Sequence, residues 1–79
     1  MPLSLRAAAL RTALERVLDD PVHTLKTDGG VRIHAPAPSP EDIRWEGVFA
    51  ALRTGDVWGS SYTPTGPEVW ALIRDEVSA

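Results

Sequence analysis

The chain has 79 residues, a formal net charge of −3, two histidines and no cysteine, which fits one domain and excludes a disulfide scaffold. A domain this small buries only about 60% of the surface its unfolded chain exposes; with disulfides absent and too few ligands for a structural zinc, self-association is the remaining supplement to its core. The acidic balance argues against a nucleic-acid binder, and no apolar run nears the ~20 residues of a membrane span.

Taken in chain order, the first element is an amphipathic helix over about residues 4–19. Leu3, Ala7, Leu10, Leu14 and Val17 recur at steps of four and three, Leu18 widens the stripe, and Pro21 must end it. Next, two runs rich in β-branched residues flank Asp28-Gly29-Gly30 and predict an antiparallel hairpin over about 22–35. A three-residue loop with Gly30 left-handed sets Leu25 opposite Ile33 and groups Thr24, Lys26, Arg32 and His34 on the other face; a two-residue Asp28-Gly29 loop sets Leu25 opposite Arg32. The first register is preferred. Ala35 to Pro40, with alternating prolines, reads as a stiff extended spacer.

Ser39 as cap, Pro40 at the first helical position and Asp42 three residues after the cap predict a second helix over about 40–53, with Trp45, Val48, Phe49 and Leu52 as its apolar stripe. Residues 57–63 alternate Trp58, Ser60 and Tyr62 against Val57, Gly59 and Ser61, which permits a short third strand. Thr65 with Glu68 three residues on resembles another capping box, and predicts a third helix over about 67–77 with Trp70, Ile73 and Val77 as its stripe. The expected fold is a single α+β domain, order α-β-β-α-(β)-α, with a hairpin or short three-stranded sheet packed on helices.

No stretch carries a catalytic motif. Ser60 and Ser61 sit in WGSSY rather than in a nucleophile elbow, and so small a chain offers little room for a ligand pocket of the usual ~300 Å³. His23 and His34 fall on opposite faces in the preferred register, so no metal is expected, nor any cofactor. The loop before the third helix invites an anion at a helix N-terminus, assisted by Ser60, Ser61 or Thr65; the plainer reading of Thr65 is a cap. Lys26 and Arg32 on the hairpin's outer face are few for nucleic-acid contacts.

Tryptophan is enriched at binding hot spots. Trp45 and Trp70 belong to helical stripes, whereas Trp58 is free to be exposed. Asp19 and Asp20 close the first helix and Asp75 and Glu76 the third, against the helix dipole in both cases, and together would form an acidic patch. Ala8, Ala9 and Ala13 let another helix approach the first one, from the same chain or from a second copy.

The function expected is therefore a non-enzymatic protein-protein interaction module, such as a small regulator, adaptor, inhibitor or immunity-type protein, with homodimerisation as one mode. It would use Trp58 and Tyr62 with the acidic pairs as a rim. The alternatives are a nucleic-acid-binding regulator that uses the hairpin as a ribbon or wing, and a small anion or ligand binder at the loop before the third helix. MPLSLRAAAL lacks the features of a secretion signal, so a cytoplasmic location with no membrane contact is expected. Met1 reads as the start of a complete chain, and seven arginines against one lysine, with ten alanines, point to a GC-rich bacterial genome.

Overall fold

The computed structural model describes residues 4–74. Six elements follow in order: α1 (Leu5–Leu18), β1 (His23–Thr27), β2 (Gly30–Pro36), α2 (Trp45–Leu52), β3 (Val57–Thr63) and β4 (Gly66–Arg74). The strands form one antiparallel sheet in the order β1-β2-β4-β3. The α+β class, and the plan of a sheet packed on helices, are as the sequence leads one to expect.

α1 forms where the apolar stripe lies. Ser4 Oγ accepts the Ala7 N–H at 3.2 Å, satisfying a donor that a helix start leaves unpaired. At the far end Asp19 turns left-handed, with φ 53°, and its N–H meets the Glu15 carbonyl at 2.8 Å. Ala7, Leu10, Leu14 and Leu18 are buried together with Val48, Ala51 and Leu52 of α2 and with Ile33, Ala35, Val69, Ala71 and Ile73 of the sheet. Each of the larger side chains contributes about 1.5–3 kcal/mol on burial. Among the described residues all the buried strand positions belong to β2 or β4, so the helices pack chiefly on the two central strands.

α2 starts later than Ser39 and Pro40 suggest. Residues 39–42 fold instead as a turn, with the Asp42 N–H donating to the Ser39 carbonyl at 3.0 Å. The Asp42 carboxylate accepts from the Arg44 N–H at 2.8 Å and from its guanidinium at 2.7 Å, while Arg44 Nη1 donates to the Leu18 carbonyl at 2.8 Å. These bonds fix the connection to the end of α1 and delay the helix to Trp45. Gly47 of α2 faces Val17 of α1, where a Cβ would stand 3.1 Å from both Val17 methyls.

Three expectations are corrected. The third helix over 67–77 is not seen: residues 66–74 are β4, and residues 75–79 lie outside the described residues. Its capping-box spacing coexists with a strand alternation, in which Val69, Ala71 and Ile73 turn into the core and Glu68, Trp70, Leu72 and Arg74 turn out. Placed between β2 and β3, this segment buries its inward set and pairs on both sides, which a surface helix cannot match. Thr65 thus occupies the two-residue β3–β4 turn and caps nothing helical, and Trp70 lies on the sheet's outer face rather than in the core.

The hairpin loop is Asp28-Gly29, with Gly29 taking the positive φ (81°) that glycine adopts without steric cost. Gly30 is a strand residue opposite Arg74, and a Cβ there would collide with the Ile73 carbonyl oxygen. The glycine read as a turn residue is thus needed for the approach of β4. The third correction follows from the second, since a one-residue change of register exchanges faces. Leu25 pairs with Arg32, His23 with His34 and Lys26 with Val31, so Thr24 and Lys26 point to the helix side while Arg32 and His34 point away.

Candidate functional site

Two surfaces stand out. The first lies on the helix side, beyond the cover of α2. Trp45 and Phe49, one helical turn apart, share a face of α2 with ring centroids 5.3 Å apart, and Phe49 stands 5.8 Å from Trp58 of β3. Strand alternation places Trp58, Ser60 and Tyr62 on the same side of β3, opposite Ala71, Val69 and Pro67. Because β3 is an edge and the helices pack chiefly on the central strands, these side chains stay open: Trp58 is 41% exposed, Phe49 42% and Tyr62 89%. Trp45 is partly buried and donates from Nε1 to the Ser39 carbonyl at 2.7 Å, which holds the 39–42 turn as one wall of a shallow groove. The groove measures about 490 Å³ and is lined by Pro40, Glu41, Asp42, Trp45 and Phe49. Ile43 beside it is 94% exposed.

The groove's rim is acidic. Hydrogen bonds from the Arg44 guanidinium, and then from its N–H, hold the Asp42 carboxyl at about 2 against an ordinary 3.8. The Arg44 pKa is raised chiefly by its bond to Asp42, with smaller attractions from Asp20 and Asp19, which places that acidic pair beside the same guanidinium. Asp75 and Glu76, the other expected acidic pair, lie outside the described residues. Arg74, the last described residue, bonds through its N–H to Asp56 at 2.8 Å, and Asp56 binds Arg6 at the start of α1, the end remote from Asp19. Arg6 first, and then the Arg74 N–H, lower the Asp56 pKa.

The second surface is the face of the sheet that no described helix covers. Arg32 bonds to Glu68 at 2.9 Å and lies over the Trp70 ring at 5.5 Å. His34 Nδ1 is 3.5 Å from the other Glu68 oxygen, and His23 stacks on His34 at 5.5 Å. The Trp70 indole crosses to β3, where Gly59 leaves space for it, and donates to Ser61 Oγ at 3.1 Å. Beside the histidines opens a cleft of about 370 Å³, lined also by Ala35, Pro36, Thr63, Thr65 and Pro67. The volume lies inside the range of roughly 300–1,000 Å³ that small ligands occupy, contrary to the expectation that the chain lacks room. Among the described residues no three His, Asp or Glu side chains are grouped so as to hold a metal ion.

The structure therefore places Trp58 and Tyr62 on the same open side of β3, four residues apart, and sets Asp19 and Asp20 near the Arg44 guanidinium beside the groove. It separates Lys26 from Arg32, which occupy opposite faces, and Ser60 from Ser61 likewise. Thr65 hydrogen-bonds with Thr63, whose hydroxyls are 3.0 Å apart in the β3–β4 turn. Phe49 and Glu68 were missed as site residues, and so was the pairing of the histidines. No described helix is long and apolar enough to cross a membrane. Compared with protein families, curated proteins and solved structures, the chain matches none.

Proposed function

We propose that this chain is a non-enzymatic protein-interaction module that docks through the aromatic surface formed by Trp45, Phe49, Trp58 and Tyr62. The observation that supports this reading is the run of three neighbouring rings, Trp45, Phe49 and Trp58, from α2 to the edge strand, the last two of them exposed, with the exposed Tyr62 further along the same side of β3. Aromatic side chains left open in a continuous patch are the usual anchors of a protein interface. The acidic rim around Asp19, Asp20 and Glu41 favours a partner that presents apolar and basic groups. Small regulators, adaptors, inhibitors and immunity-type proteins work in this way.

The test is recovery of partners from the native host by the immobilised chain, beside a Trp58→Ala/Tyr62→Ala variant. We expect the variant to keep its circular-dichroism spectrum and to lose specific partners. An unchanged set of partners on a folded variant would refute the reading.

A second reading, of a small polar ligand bound between the two hairpins, is favoured by one specific observation: the cleft where His23, His34 and Glu68 converge with Thr63 and Thr65. A ligand at ~100 times its dissociation constant stabilises by about 2.7 kcal/mol. A thermal-shift panel of phosphate, nucleotides and sulfated compounds that leaves the melting point unmoved counts against it. The nucleic-acid reading loses support, because Lys26 and Arg32 do not share a face and Arg32 is already bound to Glu68.

A further inference from the structure

The edge strand β3 lacks the devices that keep sheet edges from pairing. Natural edges are blunted by short length, lysine, proline, inward charge or bulges. β3 is seven residues long and reads Val-Trp-Gly-Ser-Ser-Tyr-Thr, with no charge and no proline. Its register with β4 runs unbroken from Val57 opposite Leu72 to Thr63 opposite Gly66, so no bulge interrupts that length; the Asp56 N–H, just before it, also bonds to the Leu72 carbonyl at 2.9 Å. Its outer row of backbone N–H and C=O groups is a template for another strand, and its side chains favour β structure.

From this edge we infer that the Trp58–Tyr62 end of the docking surface is occupied by a second copy of this chain, pairing β3 with its counterpart antiparallel about a two-fold axis at Ser60. This rests on the reading of that surface as an interface, and deepens it by naming the occupant. The strand is self-complementary in this arrangement. Ser60 is its centre, so the full length of one copy meets the full length of the other: Val57 faces the partner's Thr63, Trp58 the partner's Tyr62, Gly59 the partner's Ser61, and Ser60 the partner's Ser60. An axis perpendicular to the sheet keeps helix side with helix side. Each exposed Trp58 then gains an aromatic neighbour across the junction, and each Tyr62 gains cover for its ring.

Charge allows the match as well. No charged residue falls within the paired length, and Asp56, which immediately precedes it, is already ion-paired to Arg6 and would face the partner's Pro64. On the other face the Trp70 indole packs against Gly59, over β3 itself. The product is a continuous eight-stranded sheet, with the two aromatic grooves left open on one side for another protein.

Ser60 is exposed and sits on the axis, which makes it the place to break the dimer without touching the core. Light scattering or sedimentation of the full chain from about 1 to about 100 µM should show a mass near twice 8.6 kDa. Ser60→Asp and Ser60→Lys, each placing like charges opposite one another, should weaken association at least about tenfold. An equimolar mixture of the two should regain the dimer as a heterodimer, read by native mass spectrometry, which also shows that both variants fold. A wild-type chain that stays monomeric throughout, or a dimer indifferent to both substitutions, would overturn the inference. A monomer that still loses a host protein on Trp58→Ala/Tyr62→Ala would also overturn it, while leaving the docking function standing.

Discussion

The two edges of the sheet are built to opposite specifications. β1 has five residues, follows Pro21, carries Lys26 on its helix side and ends in the Asp28-Gly29 turn. β3 has seven, lies between Asp56 and Pro64, and has aromatic groups where β1 has threonine and lysine. Neither edge contributes a fully buried residue, so membership of the core does not explain the difference. A short strand bearing a lysine resists pairing, whereas a long uncharged one invites it. One end of the sheet is blunted by composition and the other is not, which is the contrast on which the proposed pairing through β3 rests.

That contrast can be broken at several points. The largest effect is expected at Gly30, whose replacement by alanine forces a methyl group into the Ile73 carbonyl and so strains the join from which the β1 hairpin hangs. A loss of about 1–3 kcal/mol in urea unfolding is expected, as for other overpacked sites. Next comes the edge charge itself: an aspartate at Thr24 of β1 should leave the mass of the particle unchanged, whereas Ser60→Asp should shift it toward monomer. Equal effects at both positions would erase the distinction between the edges.

Smaller still is Gly59→Ala, whose methyl would sit 3.1 Å from the Trp70 indole. The ring must give by a few tenths of an ångström, and a cost under about 1 kcal/mol with altered tryptophan fluorescence is expected. The mildest test is acid. The Asp56 and Asp42 pKa values are lower in the folded chain than in the unfolded one, so each contributes stability that is full above the ordinary value of 3.8 and is lost as pH falls through the folded value. The urea midpoint should therefore hold down to about pH 4 and decline below it, with the Asp42 part persisting to about 2. A midpoint that rises on acidification to pH 3 would contradict the assignment.

How much of this was legible in the sequence depends on how far each residue's reasons reach. α1 could be read from Ser4, the apolar spacing and Pro21, because all its causes are local. The hairpin could be located but not registered: Asp28-Gly29-Gly30 offers glycine for two turns, and the choice is made by Ile73, far along the chain. β4 was hidden because Thr65, Glu68, Trp70 and Ile73 also satisfy a helix, and only the vacancy between β2 and β3 decides for a strand. Trp58 and Tyr62 were identifiable because their alternation in β3 is plain. Phe49 was read as part of an inward stripe because it follows Trp45 and Val48 at helical spacing, and its exposure follows from where α2 lies over the sheet. The histidine pair did leave a signal, since the two-residue loop weighed for the hairpin sets His23 opposite His34.

The strand order also has a kinetic consequence. Both hairpins are made of neighbouring residues, but the ladder between β2 and β4 joins Gly30 to Arg74 and Pro36 to Glu68. Forming it closes a loop of roughly 30 to 45 residues. Each hairpin can assemble in about 1–10 μs, so the slow event in folding is the meeting of the two halves, and substitutions along that seam should retard refolding more than those at either rim.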